Sequence, residues 1–235
     1  AWPVAYVAPQ QYAGRVFEAM WRKAGGQLRG TVRNGAMPMA AQLWHTAESL
    51  PLSDIIADIN KFSNNVMAQQ LFLTLSSERA RGGQAGSFAL SQDALSAWWK
   101  KKFPRTTAPI LDNGSGLSRQ ERASASAITS LLQQAVRSPQ AQTFVNSLGI
   151  AGVDGTVARM RDRNAASAAI GQAHLKTGTL RDVASIAGYA NAQDGRRYTL
   201  VAIINHPHAA AARPALDALV EWVVKRPETQ ARKAN

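Results

Sequence analysis

The chain has 235 residues, of which 46% are hydrophobic and 18% charged, and a chain of this length buries roughly two-thirds to three-quarters of its unfolded surface without disulfides or metals. Apolar runs such as Leu200–Ile204 and Leu219–Val224 fall far short of the ~20 residues that a bilayer demands, and the lack of cysteine excludes disulfide scaffolds, zinc–thiolate sites and cysteine nucleophiles. A formal charge of +12 favours anionic partners as a class, whether nucleic acid, anionic lipid or an acidic cell-wall polymer, without naming one.

In chain order, helices come first. Gln11 to Ala24 carries apolar residues at Val16, Ala19, Met20 and Ala24 and stops at Gly25-Gly26, the pattern of an amphipathic helix with a glycine end. A second helix is expected over Ser53 to Asn60, with Ser53 as N-cap and Ile55, Ile56 and Ile59 on one face. A third runs from about Asn64 to Ser76, and Arg79-Ala80-Arg81-Gly82-Gly83 reads as loop. Around Leu95 the helical spacing returns, and Lys100-Lys101-Lys102 beside Trp98 and Trp99 reads as a solvated helix end suited to the dipole rather than a stacking platform for nucleic acid. Asn113-Gly114-Ser115-Gly116 is a tight turn, and Ser118-Arg119-Gln120-Glu121 has the spacing of a capping box opening the next helix. Helices over Ala125–Val136 and Gln140–Ser147 follow.

Then the period changes from 3.6 to 2. Three consecutive strands are expected at Gln172–Leu180, Val183–Asn191 and Arg196–Asn205, the last two joined through Asp194-Gly195, a favoured hairpin dipeptide. Pro214 to Lys225 closes as an amphipathic helix, and residues 228–235 read as a polar tail. Helices clustered first and a meander afterwards predict an α+β fold, a helical cluster packed on an antiparallel sheet, with residues 1–227 forming one unit.

Two short segments carry candidate chemistry: Ser63-Asn64-Asn65, where the third helix begins, and Lys176-Thr177-Gly178, inside the first strand of the meander. Two steps along a regular helix turn about 200°, so Ser63 and Asn65 face one cleft only if the helix starts there. In isolation Ser63 reads as a plain N-cap and Lys176 as an exposed strand lysine. S-x-x-K, S-D-N and K-T-G, however, form a motif set in penicillin-binding proteins and class A β-lactamases. The chain resembles that superfamily, and more closely the D-alanyl-D-alanine carboxypeptidases of the penicillin-binding-protein-4 type, peptidase family S13. The resemblance rests on Lys61–Ala68, Asn113–Arg119 and His174–Leu180 followed by Ala187-Gly188-Tyr189, in that order, and covers roughly residues 10 to 225.

That resemblance implies a β-lactamase/transpeptidase-like fold and roles for six residues. The Ser63 hydroxyl would belong to the proton-transfer network and the Asn65 amide would grip the substrate peptide. Lys176 would meet the free carboxylate of a terminal D-Ala, with Thr177 offering a hydroxyl to the same group. Gly178 would let a peptide approach the strand edge and pair with it, and the backbone N–H of Thr179 would supply half of an oxyanion hole. Asn113–Gly116 is read as structural. The resemblance also implies a bacterial periplasmic enzyme without a cofactor or metal, acting on peptidoglycan stem peptides ending in D-Ala and inhibited by β-lactams, with no nucleic acid partner.

One departure stands out. The family's nucleophile is the serine of S-x-x-K, whose lysine takes its proton, and no serine here has lysine three residues on; Ser96 with Lys100 has the wrong spacing and follows Ser63. The chain is therefore expected to be the C-terminal part of such an enzyme, with the nucleophile upstream and the isolated chain inactive. The alternative is a non-catalytic module of the same fold that binds peptidoglycan. A Ser-His-Asp hydrolase drawing on His45, His174, His206 or His208 lacks a G-x-S-x-G elbow, and His206-Pro207-His208 offers two metal ligands at best.

Overall fold

The computed structural model describes residues 9–77 and 86–226; the expected loop at Arg79–Gly83 and the polar tail lie outside the described residues. The chain divides into two units, residues 1–49 and residues 50–235. In the first, helix α1 (Pro9–Lys23) ends as anticipated: Gly25 adopts φ 87° and the N–H groups of Gly25 and Gly26 return to the carbonyls of Arg22 and Trp21, which satisfies groups the last turn leaves open.

The second unit begins with three helices, α2 (Leu52–Phe62), α3 (Asn65–Ser77) and α4 (Phe88–Lys102). Ser53 is not the cap of α2: Pro51 precedes the first turn, and the Ser53 hydroxyl turns to Asp54 instead. Proline there costs nothing, because the first N–H groups of a helix have no partner inside it. Ser87 caps α4 through Leu90 N–H, and α3 and α4 are joined by the buried Ser91 hydroxyl, which donates to the Phe72 carbonyl at 2.6 Å. At the end of α4 Trp99 is buried and its indole donates to Thr106 O, so the neighbouring lysines close a packed helix.

The expected capping box at Ser118–Glu121 does not open a helix. Ser118 Oγ accepts from Gln120 N–H, Glu121 accepts from Asp112 N–H, and Arg122 pairs with Ile110 in an isolated antiparallel bridge. The backbone there already has partners, so helix α5 (Ala125–Ala135) starts later, capped by Ser124 through Ala127 N–H. It is followed by α6 (Ala141–Ser147), by a two-residue strand β1 (Gly149–Ile150), by a 3-10 turn (Gly155–Val157) and by the short α7 (Arg159–Arg163).

The meander forms as expected: β2 (Ala173–Leu180), β3 (Val183–Asn191) and β4 (Arg197–Asn205), all antiparallel, in the order β1-β2-β3-β4. Alternation assigns its two faces. Ala173, Leu175, Ala184, Ile186 and Leu200 pack on α8 (Arg213–Val224) through Leu216, Val220, Val223 and Val224. Tyr189, Ala187 and Val201 face the other way, against Leu132 of α5 and Val145 of α6. The buried Tyr189 hydroxyl donates to Leu132 O at 2.7 Å, and burial pushes its pKa up to about 12, so it stays a neutral donor. The helical layer carrying α2 and α3 and the sheet carrying β2 thus meet along one side of β2.

Candidate active site

Helix α2 ends at Phe62, and Ser63 is its C-cap, held in the left-handed region at φ 58° and ψ 46°. Among the described residues it is the one non-glycine residue with positive φ, a conformation that costs an L-residue about 1–2 kcal/mol. The next residue starts α3: Asn64 Oδ1 accepts Met67 N–H at 3.1 Å, while its amide donates to Asp58 at 3.0 Å. The cap of α3 is therefore Asn64, not Ser63. This division of labour leaves the Ser63 hydroxyl free of the helix and puts Ser63 and Asn65 on the same cleft, because the chain turns between them.

Lys176 comes to that cleft from β2. Its ammonium donates to Ser63 Oγ, closing 113 residues of sequence, and to Thr177 O at 2.8 Å, which leaves one of its three donors for a ligand. Burial depresses the Lys176 pKa from its ordinary 10.5, since desolvation disfavours the charged form.

The six residues singled out from the sequence, Ser63, Asn65, Lys176, Thr177, Gly178 and Thr179, line a single cavity of about 690 Å³. Lys176 lies on the α5–α6 face of β2 and Thr177 and Thr179 on the α8 face, as the register with Ala187, Ile186 and Ala184 requires. They can share a cavity because it wraps around a strand edge: β1 covers only His174 and Leu175, and Lys176–Leu180 pair on one side alone. That open edge offers backbone groups to an extended peptide. At Gly178 an added Cβ would collide with the Ser185 hydroxyl of β3, so the glycine also makes room for its cross-strand neighbour.

Sequence reasoning missed much of the rest of the wall. Thr156 meets Thr177 hydroxyl to hydroxyl at 2.8 Å, and Arg213 donates to Thr179 Oγ1 at 2.5 Å. Arg159 and Arg163 also line the cavity, with Arg163 paired to Asp217 at 2.5 Å. Gly114–Leu117 also line the cavity, at and just after the turn Asn113–Gly116, read from sequence as structural. Asn113 Oδ1 organises it by accepting from Ser115 N–H and Oγ, and Gly114, at φ 72°, lies where any Cβ would run into the Phe72 ring. None of the histidines lines the cavity.

A hydroxyl and a partly desolvated ammonium in direct contact, a half-buried amide beside them, an open strand edge and a surplus of arginines suit an extended peptide ending in a carboxylate. The D-Ala-D-Ala carboxypeptidase 3 (S13) family model matches residues 2–226. A D-alanyl-D-alanine carboxypeptidase from an Actinomadura species is 34% identical over 218 residues, 87% of this chain and 38% of that protein. The D-alanyl-D-alanine carboxypeptidase DacB of Haemophilus influenzae is 28% identical over 83% of this chain and 40% of its own length. The crystal structure of Haemophilus influenzae penicillin-binding protein 4 in complex with a β-lactam superposes with a TM-score of 0.76 at 26% identity, covering 92% of this chain and 52% of that one. The chain thus spans about two-fifths of the length of the curated relatives it matches.

Proposed function

The chain belongs to the D-Ala-D-Ala carboxypeptidase 3 (S13) family, and from that premise we propose that it forms part of a serine D,D-peptidase that acts on peptidoglycan stem peptides through an acyl-enzyme. The observation that carries this reading is the contact between Lys176 and Ser63. In the proposed reaction the peptide adds to the free edge of β2, its terminal D-Ala carboxylate takes the spare donor of Lys176, and the Asn65 amide holds the peptide. Ser63 and Lys176 then form a relay that passes the nucleophile's proton toward the leaving amine, so that one bond forms at the carbonyl as the peptide bond breaks. The N–H of Thr179 supports the oxyanion. The proposed setting is the bacterial periplasm, where the positive charge of the chain suits an anionic wall; no helix among the described residues is long and apolar enough to cross a membrane.

The attacking hydroxyl is the missing element. No serine of these 235 residues begins an S-x-x-K, and in this proposal the chain alone supplies the binding and relay groups but no acyl acceptor. Intact-mass measurement after incubation with benzylpenicillin tests this directly: the 235-residue chain should gain no covalent mass, and a stoichiometric adduct would overturn the assignment of roles. The same absence favours a second reading, a module that binds peptidoglycan without cleaving it. A longer form of the protein that carries S-x-x-K and is acylated would exclude it.

A further inference from the structure

Lys61 lies two residues before Ser63, and its ammonium meets Asp154 Oδ2 at 2.5 Å across 93 residues of chain. Asp154 is in neither α2 nor β2; it belongs to the segment between β1 and the 3-10 turn. Its other oxygen accepts Ile150 N–H at 2.6 Å, and Ile150 pairs with His174, two residues before Lys176. Burial alone would push the Asp154 carboxyl up, but the hydrogen bonds from Lys61 and Ile150 outweigh it and the net pKa is lowered. The next residue repeats the junction in steric form: Gly155 sits at φ 59° with the Lys61 carbonyl only 2.6 Å from where its Cβ would be. One residue further, Thr156 meets Thr177. Three consecutive residues therefore touch the end of α2 on one side and the strand of Lys176 on the other, and nearby Asn60 donates to Ser147 at 2.8 Å.

We propose that Asp154, through its pair with Lys61, is a positioning residue that holds the strained Ser63 turn against Lys176. The cleft needs such a device. Ser63 and Lys176 come from different layers, and a left-handed serine relaxes unless its surroundings over-determine it. A side chain long enough to reach back from α2 and a carboxylate fixed to the sheet by a backbone N–H provide that constraint at the point where the helix ends. The inference rests on the reading of Ser63 and Lys176 as a working pair, but its test does not require turnover.

The test uses the 235-residue chain with lysines labelled with 13C at Cε and otherwise unmodified, so that Lys176, identified by comparison with Lys176→Arg, can be titrated by NMR. Asp154→Asn removes a negative charge and Lys61→Met a positive one. If the pair acts only as charges, the Lys176 pKa falls in the first variant and rises in the second. If it positions the turn, release admits water to Lys176 and both variants move its pKa up toward 10.5. Lys61→Arg, which keeps the donor, should titrate like the parent. Arg159, Arg163 and Arg213, the other cations of the cavity, are the same in every variant. Shifts of opposite sign, downward shifts or no shift would overturn the proposal. If one variant does not fold, amide exchange in the other decides: roughly tenfold faster exchange confined to residues 61–66 supports positioning, and unchanged exchange overturns it. A chain that binds no D-Ala-D-Ala peptide yet shows both upward shifts would refute the proposed function and leave this inference standing.

Discussion

Ser63 presents its hydroxyl to the Lys176 ammonium from a left-handed backbone, φ 58° and ψ 46°, at the junction of two helices. Any L-residue pays for that conformation, whereas glycine does not. Two substitutions separate backbone from hydroxyl. Ser63→Ala and Ser63→Gly both delete the proposed relay, but the glycine variant should be the more stable of the two by about 1 kcal/mol, or roughly 2–4 °C in thermal midpoint for a chain of this size. An alanine variant as stable as the glycine one would mean that the turn carries no strain.

Lys176 also sets function against stability. Its ammonium is partly desolvated and faces a hydroxyl and a carbonyl, with no carboxylate as partner among the described residues. Lys176→Met keeps most of the apolar stem and removes the charge, and should stabilise the chain by on the order of 1 kcal/mol while removing the preference for a ligand with a free carboxylate. A fall in thermal midpoint would show that the ammonium is a structural tie instead.

His174 predicts the pH dependence. It is half-buried on β2, and burial lowers its pKa below the ordinary 6.5; a backbone hydrogen bond at Val145 opposes this, Arg197 and Lys61 reinforce it and Asp154 opposes it. Its folded-state pKa lies below its unfolded value, so between the two the unfolded chain binds more protons and stability rises with pH. The full contribution is present above pH 6.5 and is lost as pH falls from there toward the folded-state pKa. Thermal midpoints at pH 7.5 and 5.5 should therefore differ more for the parent than for His174→Gln, and equal losses would exclude His174 as the cause.

The parts of this molecule that were legible in the sequence are those with a local period or a local partner. Alternation in β2 to β4, glycine after α1 and the spacing of apolar residues in α8 express contacts within one element or between neighbours. The two-residue β1 has no period to detect. Ser118–Glu121 has capping-box spacing, yet Arg122 is already paired with Ile110, so a tertiary contact overrode a local signal. The cavity divides in the same way. Ser63, Asn65 and Lys176 belong to recurring tripeptides, whereas Thr156, Arg159 and Arg213 reach it only because β1 and α8 fold back beside β2. Nothing in their own segments marks them.

The cavity wall makes one last distinction. Lys176 and Arg213 are both cations beside the β2 edge, but Arg213 reaches the strand on its α8 face, where it donates to Thr179 Oγ1, while Lys176 donates to the Ser63 hydroxyl on the other face, where the peptide's terminus is proposed to sit. The carboxylate of a peptide ending in D-Ala-D-Ala should therefore depend on Lys176. Binding of an acylated D-Ala-D-Ala peptide, as the free acid and as the C-terminal amide, can be compared by calorimetry in three forms of the chain. The parent should prefer the acid by about 10- to 150-fold, the range of a hydrogen bond to a charged group, about 1.5–3 kcal/mol. In Lys176→Met the preference should shrink nearly to one. Asn65→Ala should weaken acid and amide alike, because its amide is proposed to grip the peptide rather than its terminus. If instead the preference survives in Lys176→Met and disappears in Arg213→Ala, the carboxylate lies on the α8 side of the strand, and the peptide enters the edge of β2 from the opposite face.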